Sequence, residues 1–197
     1  IDFEKINYIG SGIPFYYAAY NHEYFEVTVG SFYEQFGSGL IYRSYESRNL
    51  GYDNATQGLK IKAKPYKGVT ITGIWGKQRN LFVSEGQVRG IDADISFTDI
   101  FPKMAESKFR SGIGAAFISK FEKDEDPDYK LPQNVGAFSG RVNFGYDGFN
   151  LQGEYAWKCN DPSAANELIY KPGEALLLTA SYSMKGLGIF VTGLRTD

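Results

Sequence analysis

The chain predicts an all-β fold: an antiparallel up-and-down transmembrane β-barrel, of which about ten strands are visible in 197 residues. Three observations predict it. Connections between the predicted strands alternate, short then long. The strands alternate polar and apolar residues with period two. The composition is rich in Gly (23), Tyr (15) and Phe (15), which favours pleated strands joined by turns. Tight turns on one side and long loops on the other is the layout of an outer-membrane barrel. A soluble sandwich has no reason to sort its loops by side.

The predicted strands are 13–20, 24–35, 57–66, 69–78, 87–97, 108–121, 134–145, 149–159, 174–184 and 187–195. Most are near the roughly 9–11 residues that cross a bilayer at a tilt. Short turns are expected at Asn21-His22, Tyr66-Lys67-Gly68, Tyr146-Asp147-Gly148 and Lys185-Gly186; Asp147-Gly148 is a strong hairpin signal. Long loops are expected at 36–57, 78–86, 122–133 and 160–173. The connection 98–107 is of middling length in a short-turn slot, so it should lie on the short-turn side as an enlarged turn.

In strand 57–66, Leu59, Ile61, Ala63 and Pro65 alternate with Lys60, Lys62 and Lys64. Val69, Ile71, Gly73 and Trp75 share a face of the next strand. Ile91, Ala93, Ile95 and Phe97 alternate with Asp92, Asp94 and Ser96. Phe109, Ile113, Ala115, Phe117 and Phe121 alternate with Lys108, Arg110 and Lys120. In strand 149–159, Phe149, Leu151, Gly153, Tyr155 and Trp157 oppose Asn150, Gln152, Glu154, Ala156 and Lys158. Period two puts these sets on opposite faces of the sheet. Strands 134–145, 174–184 and 187–195 are less decisive. Alternation does not itself say which face is inside. Small residues on the polar face suit a crowded lumen. Trp75, Tyr155 and Trp157 near strand ends suit an interfacial aromatic girdle.

Composition narrows the function. A net charge of −2 argues against nucleic acid as a partner. One cysteine, Cys159, allows no intrachain disulfide. No run of about 18 apolar residues is present, which excludes a transmembrane helix but not a barrel. The chain starts at Ile1-Asp2-Phe3 and ends Leu194-Arg195-Thr196-Asp197, without the terminal aromatic of a complete bacterial outer-membrane barrel. The expectation is one β-barrel segment over 1–197.

Phe32-Tyr33-Glu34-Gln35-Phe36-Gly37-Ser38-Gly39-Leu40 and Tyr45-Glu46-Ser47-Arg48-Asn49-Leu50-Gly51-Tyr52-Asp53-Asn54-Ala55 carry a resemblance. So do Gly76-Lys77-Gln78-Arg79, Val88-Arg89-Gly90-Ile91-Asp92 and Asn160-Asp161-Pro162-Ser163. The chain resembles a family of Bacteroidota outer-membrane β-barrel proteins with no assigned function. The resemblance implies an internal segment of a larger barrel, because members are longer and begin with a signal peptide. It implies no catalytic residues.

Catalytic chemistry has little to stand on. His22 is the only histidine and reads as a solvated turn residue beside Glu23. Cys159 reads as a small half-buried residue at a strand end. One Cys and one His cannot make a zinc site. Asp124-Glu125-Asp126-Pro127-Asp128 offers oxygen ligands for calcium but lacks EF-hand spacing, and reads as a solvated acidic loop. Asn160-Asp161-Pro162-Ser163 reads as turn chemistry. No cofactor and no metal are expected, and the protein is not expected to be an enzyme.

The polar face carries the better constellation. Glu26 and Glu34 neighbour Lys60, Lys62 and Lys64; Asp92 and Asp94 neighbour Lys108, Arg110 and Lys120. Opposite charges on adjacent strands pair across a sheet, holding the wall together. In a lumen they would also set a transverse field across a water-filled pore. In the 36–57 connection, Gly37-Ser38-Gly39 bends the chain, and Arg43, Glu46, Arg48 and Asp53 offer Arg–carboxylate pairs that fix its shape. This loop either folds inward as a constriction or caps the pore from outside. The candidate lining and constriction residues are Glu34, Arg43, Glu46, Arg48, Asp53, Lys60, Lys62, Lys64, Asp92 and Asp94.

The expected function is porin-like passage or binding of a small polar solute, in the bacterial cell outer membrane. The expected partners are the lipid bilayer with its lipopolysaccharide leaflet, that solute, and other outer-membrane proteins. Two alternatives stand beside it: a non-conducting scaffold or secretion-associated partner, and a soluble glycan-binding β-protein.

Overall fold

A computed structural model describes residues 13, 15–80, 83–123, 131–162 and 166–197. The acidic stretch at 124–128 and Ser163 lie outside them. The described residues form twelve strands: β1 (Tyr17–Asn21), β2 (Phe25–Phe32), β3 (Glu46–Ser47), β4 (Tyr52–Asp53), β5 (Thr56–Tyr66), β6 (Val69–Asn80), β7 (Val83–Ser96), β8 (Phe109–Phe121), β9 (Asn134–Tyr146), β10 (Phe149–Lys158), β11 (Gly173–Met184) and β12 (Leu187–Thr196). Ten form one sheet in the order β1-β2-β5-β6-β7-β8-β9-β10-β11-β12, every pair antiparallel. This is an up-and-down sheet with almost no helix. It is not closed: β1 and β12 are its two edges. Among the described residues no helix is long and apolar enough to cross a membrane.

The ten predicted strands match these ten within a few residues, and the loops sort by side with one correction. The connection 78–86 is not a long loop. β6 runs on to Asn80 and β7 begins at Val83, paired Asn80↔Val83. Gly86 has φ 59° and is skipped in the ladder between Lys77↔Gln87 and Gln78↔Glu85. It is therefore the glycine of a β-bulge within a strand. The middling connection lies on the short-turn side as expected, as two one-turn helices, α1 (Phe97–Ile100) and α2 (Pro102–Ala105). It docks on the neighbouring turn, where the Ser96 amide donates to the Gly68 carbonyl at 2.7 Å.

A row of glycines, Gly30↔Gly58↔Gly76, crosses β2, β5 and β6. A Cβ on Gly58 would stand 2.1 Å from the Trp75 carbonyl oxygen, and one on Gly76 would stand 2.4 Å from that of Gln57. Only glycine permits this close backbone approach, which lets the sheet bend. The sheet curls far enough that side chains from β5 through β11 line one cavity.

The faces are inverted relative to a water-soluble domain. The apolar set points outward: Val142 is 61% exposed, Trp75 55% and Phe138 48%. The polar set is enclosed: Thr72 and Asp92 are buried, and Glu154 is 4% exposed. In water each exposed large apolar side chain forgoes about 1.5–3 kcal/mol of burial. Tyr20, Phe25, Tyr66, Tyr146, Phe149 and Tyr182 lie at the short-turn ends of their strands, all exposed. Tyr155 and Trp157 stand near the other end of β10, whereas Trp75 is closer to the middle of β6.

Candidate functional site: the polar face and the loop across it

The 33–55 connection folds back over the enclosed face. Its outgoing and returning arms pair through the Gln35↔Arg43 bridge. The Phe36 amide donates to the Tyr42 carbonyl at 3.1 Å, and the Ser44 amide to that of Glu34 at 2.9 Å. The Tyr42 hydroxyl lies 2.6 Å from Thr56 Oγ1. Burial raises the Tyr42 phenol pKa, against its bonds to Ser44 and Thr56. Phe36, fully buried, packs with Phe32, Ile41 and Tyr42 on a shelf of Ile74, Val88, Ala116, Ile118 and Ala137. Gly90 makes room for it, since a Cβ there would come within 2.9 Å of Phe36 Cε2. The enclosed face is thus apolar under the loop and charged beyond it.

The loop tip reaches β10. The Ser38 amide donates to Glu154 Oε2 at 2.7 Å across 116 residues of sequence. Gly37, at φ 53°, sits so near that a Cβ would lie 2.6 Å from the same oxygen. Glu154 Oε1 has no hydrogen-bond partner among the described residues.

A second anchor closes the base of the loop. Asp53 Oδ1 accepts from the Tyr33 hydroxyl at 3.1 Å and from the Ala55 amide at 3.0 Å, and Asp53 Oδ2 pairs with the buried Arg79. Burial first, then the bond to Asp53 and the Asp53 and Glu46 charges, push the Tyr33 pKa up to about 12. Asn54 clasps the returning arm, accepting from the Tyr45 amide at 2.6 Å and donating to the Arg43 carbonyl at 3.1 Å.

Beyond the tip lies a cavity of about 370 Å³, lined among others by Glu34, Lys62, Asp92, Asp94, Arg141 and Glu154. Arg141 of β9 reaches across β8 to β7, with Nη2 2.7 Å from Asp92 Oδ1 and 2.6 Å from Asp94 Oδ2, and Nε 3.0 Å from Asp94 Oδ1. The register Asp94↔Gly114↔Arg141 explains the reach. A Cβ on Gly114 would stand 2.4 Å from Arg141 Nε, so only glycine lets the guanidinium lie over the intervening strand. Lys60 is held by Glu26 at 3.6 Å and Glu34 at 3.4 Å.

The structure therefore brings Glu34, Lys60, Lys62, Asp92 and Asp94 together on one face, with Asp53 at the base of the loop. Four other candidates lie elsewhere. Arg43 stacks over the Tyr45 ring at 4.5 Å and is exposed. Glu46 and Arg48 pair with each other through one contact of 3.0 Å, with Arg48 largely in solvent. Lys64 is exposed, because the register slips between Ala63 and Tyr66 and breaks its alternation with Lys60 and Lys62. The bulge holds Pro65, which has no amide to give the ladder. The wall is also wired differently from expectation: Asp92 and Asp94 take Arg141 two strands away, whereas Lys108 pairs with Asp147 at 3.0 Å and Lys120 with Glu122 at 2.7 Å. Arg141 and the latch role of Glu154 are the residues sequence reasoning missed.

His22 is exposed in its turn, its ring 5.1 Å from that of Phe25. Cys159 is half-buried and free. Among the described residues no group of three or more His, Cys, Asp or Glu is placed to hold a metal ion.

The fold and site define an antiparallel up-and-down β-sheet protein with an enclosed polar face, an outward apolar face and a loop folded across the interior. The chain belongs to the family of unknown function DUF6029, whose model matches residues 2–197. Comparisons with curated proteins and with solved structures gave no match.

Proposed function

We propose that this chain is part of an outer-membrane β-barrel that passes or binds a small polar solute without catalysis. The observation that carries the reading is the inversion of the faces: Val142, Trp75 and Phe138 point out while Asp92, Arg141 and Glu154 are enclosed. A lipid surround removes the cost of the first set, and a lumen removes the cost of the second. A Lys or Arg turned to lipid instead would cost about 2–4 kcal/mol at the bilayer midplane. In this reading β1 and β12 either pair with each other or with further strands, because hydrocarbon does not tolerate open sheet edges. The short turns face the periplasm and the long loops the exterior. The Bacteroidota source implied by the resemblance belongs to the same proposal.

The 33–55 loop is then a constriction. Its many internal bonds also favour a second reading, a non-conducting barrel serving as a scaffold or secretion-associated partner, since a docked loop fills part of the interior. Reconstitution separates them. Detergent-dependent solubility with heat-modifiable gel migration is expected for both. Single-channel conductance that rises on deletion of residues 37–40 is expected only for the pore. Folded, inserted protein that never conducts, with or without the deletion, supports the scaffold.

A further inference from the structure

We infer that the cavity beyond the loop tip binds a small amine-bearing cation, with the Glu154 carboxylate as its anchor. The inference deepens the proposed function and rests on the polar face being open to solutes.

Charge bookkeeping around the cavity gives the sign. Lys60 serves two carboxylates, Glu26 and Glu34. Arg141 likewise serves two, Asp92 and Asp94. Each cluster therefore keeps one uncompensated negative charge. Glu154 adds a third and has no cation paired to it among the described residues. Lys62 is the one lining cation without an ion pair among the described residues. The net field favours a cation.

Glu154 supplies the second, independent observation. It is 4% exposed, it lines the cavity, and only one of its oxygens is used. Oε2 accepts from the Ser38 amide, while Oε1 has no partner. A buried carboxylate oxygen left unpaired is costly, and an ammonium donor satisfies both its hydrogen bonding and its charge. Thr70, Thr72, Asn143 and Gln152 line the same space and offer neutral donors and acceptors to the rest of the molecule. The volume, about 370 Å³, falls within the range of small-molecule sites.

The test is calorimetric titration of 1,4-diaminobutane into the full chain in detergent micelles, with 1,4-butanediol as the uncharged probe. Binding of the diamine and not the diol is expected. Glu154→Gln should weaken it at least tenfold, and Lys62→Gln, which removes the opposing charge, should tighten it several-fold. Glu106→Gln, at an exposed position outside the cavity, should change nothing. Should Glu154→Gln fail to fold by heat-modifiable migration, Lys62→Gln carries the test. Equal binding of the diol, no diamine binding, or diamine affinity indifferent to both cavity variants overturns the inference. Conductance is scored separately: a channel that passes ions but does not bind the diamine keeps the pore and loses the site. Diamine binding by a barrel that never conducts does the reverse.

Discussion

Arg141 shows how much of this site rests on a missing side chain. Its guanidinium crosses β8 only because Gly114 leaves the path open, and a β-carbon there would collide with Nε. Arg141→Gln is expected to cost about 2–3 kcal/mol, less than the roughly 3–5 of a fully buried pair because Asp94 is half exposed. Gly114→Val should act through the same contact. In an Arg141→Gln background it should cost less than in the wild type, with a coupling on the order of 1–3 kcal/mol in a double-mutant cycle of reversible unfolding. Strict additivity would show that Gly114 does not serve Arg141. Tyr33 allows a second check. Its phenol is held neutral up to about 12 against an ordinary 10.0. Its contribution to loop stability is thus present below pH 10 and is lost as the pH rises from there through about 12. The ultraviolet difference titration of wild type against Tyr33→Phe should show one tyrosine ionising near pH 12; a difference centred at pH 10 would contradict both the burial of this phenol and its Asp53 contact. Lys60, Lys62, Asp92 and Asp94 were readable in sequence because their strands alternate cleanly. Arg141 was not, because Gly136, Ser139, Gly140, Asn143 and Gly145 blur the alternation of β9, and its partners lie two strands away.

At the scale of elements, the loop between β2 and β5 acts as a folded unit with three fastenings: Phe36 in its slot, Asp53 on Arg79, and Ser38 on Glu154. Gly37 is the hinge of the last of these. Gly37→Ala meets both a positive φ and the Glu154 carboxylate, and should cost the docked tip about 1 kcal/mol or more. Hydrogen exchange at the Ser38 amide reads this directly. Several-fold faster exchange is expected in Gly37→Ala, with the Tyr45 amide, held by Asn54, unchanged. Equal acceleration at both sites would mean that the loop opens as a whole and has no separable tip. The sequence showed that this segment bends and carries charges, but the inward docking was one of two open readings. What fastens the loop to the polar face is non-local: Phe36 needs Gly90 and Ile118, and Ser38 needs Glu154. The 78–86 stretch misled for a related reason. It was expected as a long loop, and only the partner strand, through the pairs Asn80↔Val83 and Gln78↔Glu85, reveals that the strands run on and that Gly86 is a bulge.

For the whole molecule, the decisive property is that adjacent residues along one strand face different solvents. Val142, 61% exposed, and Asn143 sit side by side in β9 with side chains on opposite faces of the pleat, Val142 among the apolar set and Asn143 on the polar face that carries Arg141, although both border the cavity. An arginine at each position gives opposite outcomes if lipid surrounds the sheet. Val142→Arg places a charge in hydrocarbon and should reduce folding into vesicles by about 2–4 kcal/mol if the site lies near the midplane, less if near an interface. Asn143→Arg stays in a polar, net-acidic space beside Asp92 and Asp94 and should insert nearly as well as the wild type. A water-soluble fold predicts another pattern. There, both positions are exposed, and Val142→Arg and Asn143→Arg would each cost within about 0.5 kcal/mol. Equilibrium folding of both variants, in vesicles and in detergent-free buffer, distinguishes the two without knowledge of the solute. The ordering of the two substitutions therefore reports which face of the sheet meets lipid.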